Sequence, residues 1–343
     1  MNKVLRLEIT DRCNLRCDMC WSTDWHHNDM SYEELEKIIL DYKVHEPDGV
    51  VVLTSREPLL SPHFSKVLQL CTKLDLDIKI LTNGTLLNDK LCELIMNSNV
   101  SFLSVSIHGD EEFHDSITKV KGSYKNTIEK LKLFNLYKQK YSKNIDLRIT
   151  TIVRKELINN LDSIIKLSKE LNACLRIQHM MWYSDLTKEQ QIKIISEKYN
   201  YYDNIICGFP SKTNISYEDV NELLSNAIIK ANNLDVELQI YPELNNDEIK
   251  MHYSNIIGEY MGYCDHSSES IRVRANGDVS FCQYIDKCFG NLKNSSLDDV
   301  IYKNNEYHDM CNDFLYGDLL PGCYRCCHYV NSKKLIKEDN HKI

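Results

Sequence analysis

From residue 4 to about residue 180 the chain alternates short apolar runs with longer amphipathic ones. No other feature narrows the possible folds as far. Runs at 4–9, 50–53, 78–81, 100–107, 145–153 and 174–179 have the length and pattern of strands. Helical periodicity fills the intervals at 62–74, 88–96, 124–137 and 156–171, and Ser31 with Glu34 three residues on forms a capping-box pattern ahead of Leu35, Ile38 and Ile39. Successive strands joined by helices pair in parallel through right-handed crossovers. Six such units predict an α/β fold, a partial (β/α)6 TIM-like barrel, whose working residues follow the C-terminal ends of the strands.

After the barrel the texture changes. We expect the barrel over 1–205, a helical connector over 206–260 with one strand candidate at 236–241, and a small α+β metal-dependent domain over 261–330. A tail at 331–343 completes the chain. In the third segment, short strands at 271–274 and 278–281 flank Asn276-Gly277, a hairpin signal, and a helix follows near 296–303. A unit of about 70 residues is small enough to draw much of its stability from a bound metal.

The net charge of −9 argues against a general nucleic-acid binder, which shows a basic stripe. No run reaches the ~18 apolar residues of a membrane span. The first strand carries Arg6 and Glu8 and does not read as a signal peptide, so a cytoplasmic location is expected. In such a compartment 14 cysteines point to metal or catalysis before disulfides. Cys71, Cys92, Cys174 and Cys207 stand alone and read as small core residues.

Directly after the first strand comes Cys13-x3-Cys17-x2-Cys20. Three thiolates on one short loop can hold three irons of a [4Fe–4S] cubane and leave the fourth open to a chelating ligand. A structural zinc is the alternative, with His26 or His27 as fourth ligand. The motif resembles the signature of the radical S-adenosylmethionine (SAM) superfamily, with Met19 in the place usually taken by an aromatic residue. Other stations match in order. Glu57-Pro58 follows strand two, with Ser55 and Arg56 where the family has two glycines; Thr82-Asn83-Gly84 follows strand three; Ser104-x-Ser106 closes strand four, with His108 where an aspartate is common. The resemblance implies that Cys13, Cys17 and Cys20 hold the SAM-binding cluster. It also implies that Ser55 (through its backbone), Glu57, Asn83 and Ser106 contact SAM.

A second constellation lies downstream: Cys264-x12-Gly277-x4-Cys282, then Cys323-x2-Cys326. A hairpin bearing two cysteines, closed by a C-x2-C loop, brings four sulfurs together, and spacing alone suits a zinc ribbon as well as an iron–sulfur cluster. The pattern is similar to the SPASM/Twitch auxiliary-cluster domains. No cysteines stand where a second SPASM cluster would need them, so the resemblance implies one auxiliary [4Fe–4S] cluster on Cys264, Cys282, Cys323 and Cys326. Cys288, Cys311 and Cys327 are surplus, and Cys327 could exchange with Cys326.

The resemblance implies an oxidoreductase-type enzyme that forms a 5′-deoxyadenosyl radical and takes an electron from a donor such as flavodoxin or ferredoxin. The first strand begins by Val4, without the extra N-terminal domain of many peptide-modifying relatives. We therefore expect a small polar substrate, a sugar or an aminocyclitol, ahead of a peptide. An iron–sulfur binding or electron-transfer module without SAM chemistry is the remaining class. Oxidation of an alcohol needs a base; His179, at the end of strand six beside Arg176 and Trp182, is the candidate, with a polar core role as the alternative.

Overall fold

The computed structural model describes residues 3–20, 29–54, 56–202, 205–254 and 262–331. Its frame is a nine-stranded sheet. In chain order the elements are β1 (Val4–Leu7), α1 (Tyr32–His45), β2 (Val50–Leu53), α2 (Phe64–Lys73), β3 (Asp77–Thr82), α3 (Asp89–Met96) and β4 (Val100–Ser106). There follow α4 (Glu111–Thr118), α5 (Ser123–Lys140), β5 (Asp146–Ile152), α6 (Leu157–Glu170) and β6 (Cys174–Gln178). Strands β1 to β6 pair in parallel in sequence order, the arrangement expected of the (β/α)6 unit. The expected capping box at Ser31 and Glu34 is present. One cavity is lined by residues from β1 through β6, so the six strands curve around a common interior.

The rest of the chain extends this sheet at both ends. After α7 (Asp185–Tyr199) and α8 (Tyr217–Asn233), β7 (Leu238–Tyr241) adds to β6 in parallel. Then come α9 (Asn246–His252), β8 (Gly262–Cys264), α10 (Asp265–Glu269), β9 (Ser270–Val273) and β10 (Val279–Ser280). β9 pairs in parallel with β1 and antiparallel with β10. Gly277 makes the hairpin possible: its φ is +90°, a backbone region that side chains with a Cβ rarely adopt. Finally α11 (Asn305–Leu315) packs near β8, and β11 (Tyr329–Asn331) pairs with β8 in a separate two-stranded sheet.

Apolar residues from both regions form one continuous core. It runs from Leu5, Leu7 and Val51 through Ile149 and Leu175 to Ile271, Phe281 and Phe314. Cys71 and Cys92 are buried within it as expected, but Cys174 is only partly covered and Cys207 is exposed. The β1–β9 seam also carries a buried ion pair between Glu8 and Arg272. A buried charge is tolerated only when compensated. Glu8→Gln, which strands the Arg272 cation, should lower unfolding stability by about 3–5 kcal/mol in chemical denaturation. The double change Glu8→Leu with Arg272→Met should recover most of that loss.

Candidate active site

The cysteine loop after β1 lies across the C-terminal ends of the strands. Cys13, Cys17 and Cys20 all line the mouth of a cavity of about 600 Å³ in the barrel interior. The loop is held by backbone bonds to the end of α4, Arg16 N to Thr118 O and Asp18 N to Ile117 O, both 3.0 Å. Arg154 reinforces it through Asp18, at 2.7 Å. Burial and the neighbouring thiols push the Cys17 thiol up to about 12, and burial raises Cys13 as well. Thiols so disposed lose their protons only to a strongly compensating cation, and iron supplies one. His26 and His27, the candidate zinc ligands, lie outside the described residues, as does Ser55.

Glu57, which the resemblance places against SAM, is turned away from the cavity here. Its side chain is fully buried and is not part of the cavity lining. The carboxylate turns inward and accepts three bonds, from Thr82 Oγ1 (2.7 Å), Asn83 N (2.7 Å) and Leu59 N (3.1 Å). Asn83, which does line the cavity, in turn donates through Nδ2 to Asn14 Oδ1 (2.8 Å), and Asn14 donates to Thr85 Oγ1 (2.8 Å). Glu57 thus ties the ends of β2 and β3 to the cysteine loop, and its backbone N–H, bonded to Arg12 O, adds a second tie. Arg56, in a glycine place of the family, lines the cavity and has φ of +32°, so the left-handed turn survives without glycine.

Ser106 reaches the cavity, as expected, with Ser104 and His108 on the same face of β4 and its extension. Burial pulls His108 down to about 3, so it is neutral at ordinary pH. His179 does not reach the cavity. Along β6 side chains alternate, Arg176 and Gln178 face the interior, and His179 therefore points outward. It is buried, bonded to Tyr253 Oη at 2.8 Å, and in ring contact with His252. The expected base is thus a packed core residue. Arg176, named with His179 at the end of strand six, does line the cavity; so do Arg6, Lys79 and Arg148, which the sequence reading does not single out although each is a cation at an inward position of a strand.

The second constellation assembles as expected in space. Cys264, Cys282, Cys323 and Cys326 line one pocket walled by Tyr183, Tyr263, Tyr284, Ile285 and Phe314. Cys327 lies outside that lining, on the far side, against Cys326 and His328. Cys311 is buried in the core, and the exposed Cys288 donates to Gly290 O. Burial pushes the Cys323 thiol up to about 12 and Cys264 well above its ordinary value, with the sulfurs raising one another. Among the described residues no three ligating groups stand close enough to grip a single ion, but the four thiols share one small pocket. Four thiols facing one pocket are the donor set that an iron–sulfur cluster takes.

Arg325, inside the C-x2-C loop, is the largest fully buried side chain. Its guanidinium stacks on Trp182 at 3.7 Å and donates to His252 O (3.0 Å) and Ser254 O (2.7 Å). The loop is thereby anchored to the exit of β6.

Comparison with known proteins agrees with this geometry. The sequence profile of the radical SAM superfamily matches residues 7–164, and that of the SPASM iron–sulfur cluster-binding domain matches 264–327. The chain belongs to the radical SAM superfamily and carries a C-terminal SPASM domain. SAM, the SAM-binding [4Fe–4S] cluster and auxiliary cluster chemistry go with those two domains. The chain is 26% identical to the tungsten-containing aldehyde ferredoxin oxidoreductase cofactor-modifying protein of Pyrococcus furiosus, over 96% of this chain and 90% of that one. It is 29% identical to the uncharacterized protein MJ0907 of Methanocaldococcus jannaschii over 48% of this chain, a match spanning 57% of the relative's length. Among solved structures, SuiB of Streptococcus suis bound to precursor peptide SuiA superposes with a TM-score of 0.67 at 15% identity, covering 91% of this chain and 67% of that one. No helix among the described residues is long and apolar enough to cross a membrane.

Glu57 generates a pH test. Burial raises its carboxyl to about 7 against the three bonds it accepts. Its protonated form thus contributes stability that is full below about 4.5 and lost as pH rises through about 7. Glu57→Gln should remove that slope from thermal melts between those limits. It should also lower stability by about 1–3 kcal/mol, because an amide N–H then faces a donor.

Proposed function

We propose that this chain is a radical SAM enzyme that removes a hydrogen atom from a substrate held in the barrel interior. Gathering of Cys13, Cys17 and Cys20 at the mouth of a cavity lined from all six strands carries the reading. Those three thiols would hold the SAM-binding cluster, and Cys264, Cys282, Cys323 and Cys326 the auxiliary one. When bound, the first cluster supplies the electron that splits SAM into methionine and a 5′-deoxyadenosyl radical, and the second supplies an electron acceptor for oxidative chemistry. The chain's own groups orient SAM: Asn83 and Ser106 offer polar atoms beside the cysteines, Arg56 offers a cation to the SAM carboxylate, and Glu57 fixes the turn that presents Asn83. A flavodoxin or ferredoxin is the proposed electron source.

The expected aminocyclitol has nothing in its favour: among the described residues the lining contains no carboxylate to receive an amino group. A second reading is that of a peptide maturase, supported by the fold shared with SuiB, whose bound partner is a precursor peptide.

Anaerobically reconstituted protein should hold about eight irons from two cubanes and release 5′-deoxyadenosine from SAM with dithionite. Changing Cys13, Cys17 and Cys20 together to alanine should halve the iron and abolish 5′-deoxyadenosine. A protein that loads both clusters yet leaves SAM intact would be an electron carrier instead.

A further inference from the structure

Below the proposed SAM site the barrel interior has an unusual charge. Arg6 on β1, Lys79 on β3, Arg148 on β5 and Arg176 on β6 all line it, and among the described residues the lining contains no aspartate or glutamate. Among the described residues no carboxylate pairs with any of the four, in a chain whose net charge is −9. The cations sit deep: Lys79 precedes Asn83 by four residues on its strand, about 13 Å at strand rise. The register places Arg6 and Lys79 in one row across Val52, and Arg176 beside Thr150, one inward position above Arg148.

The three arginines are also held in place. Arg148 stacks on Phe102 at 4.5 Å, and Arg176 stacks on Tyr241 at 4.4 Å and donates to Gln239 at 3.1 Å. Arg6 donates to Ser270 Oγ at 3.0 Å. The Nε atoms of Arg148 and Arg176 are buried without an acceptor. Burial and then the neighbouring Arg148 hold the Arg176 pKa below its ordinary value, as two cations close together require. A buried guanidinium N–H without an acceptor costs free energy, and preorganised cations recover it when an anion arrives.

We propose that the substrate is a small molecule with two or more anionic groups, phosphate or carboxylate, bound by Arg6, Lys79, Arg148 and Arg176. The cavity of about 600 Å³ must also admit SAM, which leaves room beneath it only for a small molecule. Flat paired oxygens match the fork of each arginine. The proposal rests on the radical SAM reading, because it places the anion where hydrogen abstraction needs a substrate.

The test is calorimetry on SAM-saturated, reconstituted enzyme with three small probes, 3-phosphoglycerate, tricarballylate and glycerol, and a tetraglutamate peptide as a fourth. At least one anion should bind about tenfold or more tighter than glycerol, and more weakly as salt rises from about 0.05 to 0.5 M. The tighter anion tells phosphate from carboxylate; equal binding of all three overturns the proposal. Arg148→Gln with Arg176→Gln, and separately Lys79→Met, should each weaken the anion about tenfold while iron content and Tm stay those of wild type. Unchanged affinity in folded variants overturns it, as does a loss of iron with affinity intact, which would assign the cations to the clusters. If the double variant does not fold, Lys79→Met decides alone. A tetraglutamate peptide binding tighter than both anions would overturn the small-molecule assignment. Enzyme that makes 5′-deoxyadenosine but ignores the anions refutes this proposal and leaves the radical reading standing. Enzyme that binds the anions but leaves SAM intact does the reverse.

Discussion

The pairing of β1 with β9 is the contact on which the arrangement of the two cysteine sets depends. The first set follows β1 directly, and the second brackets the β9–β10 hairpin, with Cys264 before it and Cys282 after it. Four residues of parallel register, Val4 to Leu7 against Ser270 to Val273, therefore fix one set relative to the other. The Glu8–Arg272 pair lies on the same seam. A one-residue slip there would turn Arg6 out of the interior and Leu5 into it.

A second constraint is the small polar network beneath the cysteine loop. A carboxylate that accepts three bonds and touches no solvent is an expensive way to build a turn. What it secures is a fixed relation between two strand ends and the loop, since Thr82, Asn83 and Asn14 are each bonded to it or to one another. Arg56 keeps a left-handed backbone at φ +32°, where a residue with a Cβ is strained. The glycine place has thus kept its turn and acquired a long cationic side chain that reaches the cavity.

The alternation of strands and helices, the hairpin at Asn276-Gly277 and both cysteine groupings could be read from the residues, because each has a local signal. Two things were not legible. Glu57 sits at a strand end facing the interior, and nothing in Glu57-Pro58 says that Thr82 and Asn83 will consume its oxygens; that depends on partners 25 and 26 residues away. His179 points outward by its parity with Arg176 and Gln178, which its place at a strand end does not by itself reveal. Counting the same parity finds the cations. In strands covered on both faces an unbroken apolar run is expected, and Arg6, Lys79, Arg148 and Arg176 each interrupt one at the parity of the interior.

The β1–β9 seam also bears on the order of assembly. Arg6 and Ser270, bonded across it, are separated by 264 positions in the chain. During synthesis from the N-terminus the other edge of β1 can pair with β2 as soon as residue 53 has emerged, whereas its β9 edge must wait for the last quarter of the chain. Local pairings close quickly and distant ones slowly. The curved sheet of β1 to β6 and the loop bearing Cys13, Cys17 and Cys20 can therefore form while the interior is still uncovered along β1, and the C-terminal segment then acts as the last stave to be set.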